Sequence, residues 1–105
     1  MKILGIETSC DETSISVLEI KNPESISILS NIVSSQVELH AKFGGVVPHL
    51  AAREHVRNLD HVYKAALEKA GIFNFEKEID LIAVTRGPGL GPSLLTGIAF
   101  ARLLS

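Results

Sequence analysis

The chain has 105 residues, 46% of them hydrophobic and 21% charged, with ten basic against twelve acidic side chains and a net charge of −2. That is material for one small domain, or for one half of a larger one, with an ordinary globular composition. It excludes a membrane-spanning helix, because no apolar run approaches the roughly 18–20 residues required. It also excludes a protein that grips nucleic acid by net charge alone, which would show a basic excess or stripe.

The chain meets Glu7 after only a few apolar residues, so no secretory signal is expected. A single cysteine, Cys10, cannot close an internal disulfide and suits a reducing compartment, which makes the cytoplasm the expected location. In chain order, Lys2 to Thr8 is a near-continuous apolar run, as expected of a strand covered on both faces. Thr13 to Ile20 is a second β-prone run, and Asn22-Pro23-Glu24 marks a turn. Ile26, Ile28 and Ile32 then recur at even spacing, the pattern of an alternating third strand. Three strands joined by short turns predict an antiparallel meander.

His40 to Gly45 reads as a loop because of its glycine pair. Pro48 opens a helix at the position where its missing N–H costs nothing. Ala52, His55/Val56, Leu59, Val62/Tyr63, Ala66/Leu67 and Ala70 form its apolar stripe, and Gly71 ends it. At 1.5 Å per residue this helix is about 34 Å long. Ile79 to Val84 is a short buried strand. Gly87-Pro88-Gly89-Leu90-Gly91-Pro92-Ser93 is a turn feeding a last helix, Leu94 to Leu104. The order β-β-β-α-β-α predicts an α/β ribonuclease-H-like half-domain. A further parallel strand would normally follow, and the apolar residues of the last helix lead us to expect more chain beyond Ser105.

Three places could carry chemistry. Glu7-Thr8-Ser9-Cys10-Asp11-Glu12-Thr13-Ser14 gathers hydroxyls and carboxylates between two central strands. Its backbone N–H groups and hydroxyls suit an anion. Its carboxylates oppose one, by roughly 1–4 kcal/mol at about 4 Å. A phosphate there calls for a bridging divalent cation, or for a polar or cationic substrate group between phosphate and carboxylates. A plain polar β-turn is the alternative reading. Gly87 to Ser93 precedes a helix, where glycines allow close backbone approach and the helix N-terminus favours phosphate. No Lys follows in Walker order, however, and a structural connection explains the loop equally well. Finally, His49, His55 and His61 are six apart, so successive rings turn by about 240° and do not converge. These three and His40 read as surface or internally satisfied histidines. Cys10 reads as packing that would be reactive only if exposed, and Arg53 and Arg57 as solvated.

Three segments together point further. Gly5-Ile6-Glu7-Thr8-Ser9-Cys10-Asp11-Glu12-Thr13, the run H-A-K-F-G-G-V-V-P-H-L-A-A-R-E-H from His40 to His55, and Asp80 to Ala101 with its core V-T-R-G-P-G-L-G-P-S-L-L-T-G-I-A-F-A resemble the TsaD family, once described as glycoproteases. The resemblance runs the length of the chain. A non-catalytic TsaB-type paralogue shares the glycine-proline element but is expected to lack S-C-D-E-T and G-G-V-V-P. The resemblance implies an actin/hexokinase/Hsp70-like (ASKHA) fold of two duplicated ribonuclease-H-like domains, of which residues 1–105 are an incomplete first subdomain. It implies transfer of a threonylcarbamoyl group from threonylcarbamoyl-adenylate to N6 of adenosine 37, in tRNAs reading codons that begin with A. It also implies a divalent metal, iron or zinc, and companion subunits of the TsaB/TsaE type. On this basis Asp11 and Glu12 are the expected catalytic residues and Ser9 the expected contact to the phosphate region. One acid would orient or deprotonate the amine while the metal polarises the carbonyl.

The chain departs from the family pattern at His49, usually Glu, and at Ala52, often Ser, and neither is given a role. The family's metal-binding His-x-x-x-His pair and a later Asp would lie beyond Ser105, so no metal ligand is expected among these residues. The piece alone is expected to be inactive. Two rivals remain. A nucleotide-dependent kinase of the same superfamily would carry an Asp-x-Gly-type first turn, which Ser9-Cys10-Asp11-Glu12 lacks. A scaffold subunit would keep the half-fold and self-associate through its long helix. A peptidase of the His-Glu-x-x-His type has no support in the sequence.

Overall fold

A computed structural model describes residues 1–105. The strands are β1 (Lys2–Glu7), β2 (Glu12–Asn22), β3 (Ser25–Ser35) and β4 (Leu81–Val84). The helices are α1 (Val37–Ala41), α2 (Pro48–Ala70), α3 (Phe75–Glu78) and α4 (Gly91–Leu104). The sheet order is β3-β2-β1-β4. β1, β2 and β3 form the expected antiparallel meander, and β4 returns parallel to β1 after the crossover through α2. The start of that parallel pair is fixed by Asp80: its carboxylate accepts from Lys2 N at 2.8 Å, and its own N–H donates to the Lys2 carbonyl at 2.8 Å.

α2 forms where the apolar spacing demands. Pro48 occupies its first turn, and Gly71 closes it in the left-handed conformation at φ 73°. The buried stripe is Ala51, His55, Leu59, Val62 and Ala66, so the seam starts at Ala51 instead of Ala52 and leaves Val56 in solvent. Leu59, Val62 and Ala66 pack against Leu4, Ile6, Ile15 and Val17 of the two central strands, and Ile72 and Ala101 complete the cluster.

Several boundaries differ from the sequence reading, each for a local reason. His40 belongs to the short helix α1, and only the residues after Ala41 form the glycine turn. α4 starts at Gly91 because Pro92 suits a first helical turn. A register shift opposite Val17/Leu18 breaks the even spacing of the β3 isoleucines. Ile32 pairs with Ile15 on the core side, whereas Ile28 pairs with Leu18 on the other side and is 70% exposed.

The expectation that β1 is covered on both faces is met on one face only. α2 and α4 pack together on the side of Leu4 and Ile6. The opposite face carries Leu81, Ile3, Leu18 and Ile28 in one continuous cross-strand row, with Glu7, Ser14 and Ser16 nearer the β1–β2 turn. No helix is long and apolar enough to cross a membrane.

The one-sided core makes a direct forecast. Leu4→Ala removes a fully buried side chain and should cost about 2–5 kcal/mol in a urea titration of the chain. Ile28→Ala on the open face should stay within about 0.5 kcal/mol of the parent.

Candidate functional site

β1, β3 and β4 end, and β2 begins, at the same edge of the sheet. The β1–β2 turn, the segment after β3 and the glycine-proline loop after β4 therefore meet there. The turn is held by its own carbonyls. The Ser9 carbonyl accepts from Leu90 N at 2.7 Å and the Asp11 carbonyl from Gln36 N at 2.9 Å. The Cys10 carbonyl lies 2.8 Å from His55 Nε2. Three consecutive carbonyls are thus taken by donors from three separate segments.

His55 is fully buried, and its other ring nitrogen, Nδ1, sits 2.8 Å from the buried Thr13 hydroxyl. A carbonyl only accepts, so Nε2 carries the proton and Nδ1 accepts from Thr13. Burial lowers the His55 pKa, partly offset by the Cys10 hydrogen bond and the charges of Glu7 and Asp11. The ring is a neutral strut. His40 is arranged alike. Its Nδ1 accepts from Val47 N at 3.1 Å, and its Nε2 donates to Gln36 Oε1 at 2.7 Å. The Gln36 amide passes on to the Ala51 carbonyl at 3.2 Å.

The glycine-proline loop packs directly on the turn. A Cβ on Gly89 would lie 2.6 Å from the Ser9 carbonyl oxygen and 2.8 Å from Ser9 Cβ, and a Cβ on Gly97 would strike the Thr8 side chain. Thr8, fully buried, donates its hydroxyl to the Ser93 carbonyl at 2.7 Å. The two motifs that sequence reading treated as separate candidates are one packed unit.

Of the expected site residues, Asp11 is half-buried and lines a cavity of about 340 Å³ with His40, Gly44 and Gly45. Glu12 is exposed at the start of β2. Because Thr13 faces the core, alternation turns Glu12 to the open face of the sheet, away from the Asp11 cavity. The structure therefore separates the two acids. Ser9 is turned toward Glu7, whose carboxylate accepts from Ser9 N at 2.7 Å and from Ser9 Oγ at 3.0 Å. Glu7, assigned no role from sequence, lines a second cavity of about 340 Å³ with Ser14, Ser16 and Thr85. To donate to a phosphate, the Ser9 hydroxyl must first leave Glu7.

Cys10 is exposed, which corrects its reading as packing. Its thiol pKa is raised by partial desolvation and then by the charge of Asp11, which disfavours the thiolate. His49 and His61 are exposed, Arg53 is exposed, and Arg57 pairs with Glu54 at 3.3 Å on the surface. No three His, Cys, Asp or Glu side chains come together as a metal cluster. The buried histidines hold the site; His40 carried a local signal beside the Gly44-Gly45 turn, whereas His55 stands inside the apolar stripe of α2 and carried none.

Two outcomes follow from this packing. Gly89→Ala must displace Ser9 and should cost about 1–3 kcal/mol, with faster exchange of the Leu90 amide by NMR. The lowered His55 pKa means that the unfolded chain binds a proton the native chain refuses. Stability should therefore be full above about pH 6.5 and fall as pH drops below it, and thermal midpoints of His55→Gln should lack that part of the slope.

Comparison with known proteins identifies the family and the fold. The family described as "TsaD: tRNA N6-adenosine threonylcarbamoyltransferase" matches residues 27–105. Proteins named tRNA N6-adenosine threonylcarbamoyltransferase from Thermosipho melanesiensis and Bartonella tribocorum are 56% and 54% identical over 105 residues. Each aligns with the whole of this chain, which spans 30% and 28% of their respective lengths. YeaZ from Pseudomonas aeruginosa superposes with a TM-score of 0.65 over 98% of this chain and 38% of its own, at 21% identity, and shares the fold. The architecture is thus the ribonuclease-H-like half-domain of the ASKHA type, and the chain belongs to the TsaD family.

Proposed function

We propose that these residues form part of a tRNA N6-adenosine threonylcarbamoyltransferase, with Asp11 as the acid nearest the reacting atoms. In the reaction, N6 of adenosine 37 attacks the carbamoyl carbon of threonylcarbamoyl-adenylate. The N6–C bond forms, the bond from that carbon to the phosphate oxygen breaks, AMP leaves, and the amine proton passes to a carboxylate. The observation that carries this reading is Asp11 itself. It is half-buried at a cavity shared with the Gly44-Gly45 turn, and its peptide groups are held on both sides. A carboxylate carried on a held backbone beside an open cavity suits a general base. Glu12, on the other side of the turn, would meet the substrate from the open sheet face.

The family's iron or zinc is not held by the histidines present. His40 and His55 each use both ring nitrogens in internal hydrogen bonds, and His49 and His61 stand apart on the surface. tRNA would be bound with TsaB/TsaE-type companion subunits in the cytoplasm. The companion-subunit part of the reading is supported by an apolar groove of about 400 Å³ between α2 and α4, lined by Val56, Leu95, Phe100 and Leu103. The same groove would serve a scaffold that self-associates, and size exclusion with an adenylate titration separates the two readings, since a scaffold associates without binding nucleotide.

In the enzyme containing this chain, Asp11→Ala and Glu12→Ala should each lower the transfer rate by about 100- to 10,000-fold. Near-normal rates for both, in a tRNA-modification assay with preformed adenylate, would remove the proposed roles.

A further inference from the structure

We infer that His55 is a positioning residue for Asp11, acting through the backbone. This deepens the transferase reading above and rests on it for the activity arm alone. The Cα of Asp11 lies between two peptide groups. The Cys10 carbonyl belongs to the one before it and is bound by His55 Nε2–H at 2.8 Å. The Asp11 carbonyl belongs to the one after it and is bound by Gln36 N–H at 2.9 Å. With both planes fixed, the direction of the Asp11 Cα–Cβ bond is fixed, and the carboxylate keeps only its side-chain torsions.

The strut is itself braced. Thr13 Oγ1, fully buried one residue beyond Glu12, donates to His55 Nδ1 and so selects the tautomer whose proton is aimed at Cys10. The second anchor is braced from the other side, because the Gln36 side chain is gripped by His40 and His40 is gripped by Val47 N–H, beyond the Gly44-Gly45 turn. The two histidines therefore link the cavity wall formed by that turn to the backbone that carries the acid. A polar side chain placed within the α2 apolar stripe, between Ala51 and Leu59, costs the core a hydrophobic residue. The Cys10 carbonyl and the Thr13 hydroxyl are what it binds in return.

The test uses His55→Leu, His55→Gln and Thr13→Val in the enzyme containing this chain. His55→Leu keeps the volume and removes both hydrogen bonds. His55→Gln keeps an N–H near the place of Nε2. We expect His55→Leu to lower kcat per folded molecule by about 100-fold, with KM for the adenylate unchanged. His55→Gln should recover most of that loss, and Thr13→Val should fall between them. Wild-type kcat in folded His55→Leu overturns the proposal, as does a loss that His55→Gln fails to rescue. A second readout needs no activity: exchange of the Gln36 amide, which reports the Asp11 carbonyl, should quicken in His55→Leu and return in His55→Gln. If the wild-type enzyme shows no transfer, the functional reading fails while this exchange pattern still decides the positioning role. If His55→Leu does not fold, Thr13→Val against wild type decides it by the same two readouts, and unchanged values in both overturn it.

Discussion

The site depends on the capture of three successive carbonyls, those of Ser9, Cys10 and Asp11, by Leu90, His55 and Gln36. A turn between two central strands must bury some of its backbone when helices pack above it. A buried carbonyl without a donor costs about 1–3 kcal/mol, whereas a paired one contributes about 0.5–1.5. Here each donor comes from a different part of the chain: the glycine-proline loop, the long helix and the residue that follows β3. The turn cannot adopt this shape until all three have arrived, so its conformation is a product of the tertiary fold and not of local propensity. Once the carbonyls face inward, Cys10 and Glu12 are free to face solvent and Asp11 to line its cavity without leaving backbone groups unpaired.

The sheet arrangement brings those donors together. β1 and β4 run parallel, so the segments leaving them emerge at the same edge, where open α/β sheets generally place their ligands. β3 ends at that edge as well, because the meander has an odd number of strands. Had β4 paired antiparallel to β1, Gly89 would lie at the far end of the sheet, and Ser9 would have neither its carbonyl donor nor its close-packed neighbour. The absence of a side chain at Gly89 is required by that contact and not by backbone conformation, since its φ is not in the left-handed region.

How much of this could be read from the sequence depended on the range of the interaction. Periodicity and terminal residues act within a few turns, and Pro48–Ala70 emerged with both ends in place. The meander and the parallel return were legible for the same reason. The face of the β3 isoleucines was not, because it turns on one extra residue opposed to Leu18, and nothing local to Ile28 or Ile32 reports that bulge. The separation of Asp11 from Glu12 follows from Thr13 facing the core, a fact visible only once His55 is seen to bind it. Adjacent acids look like a pair in sequence; strand alternation sends them to different sides. His55 itself hid inside an apolar stripe that reads correctly as core.

The electrostatics of the turn narrow what it can accept. Three carboxylates lie within six residues, and the chain as a whole carries no positive excess. One of the three, Glu7, is occupied by two donors from Ser9, which also uses the hydroxyl that sequence reading offered to a phosphate. The turn therefore presents acceptors at Asp11 and Glu12 and no free hydroxyl donor at Ser9. An acceptor-rich surface attracts N–H groups and repels phosphate oxygens. On the proposed reading, the adenine amine would approach this side of the cleft, and the adenylate phosphate would be met by groups that these residues do not supply. On the same reading, the rigid backbone at Asp11 would set the distance and angle at which its carboxylate meets that amine.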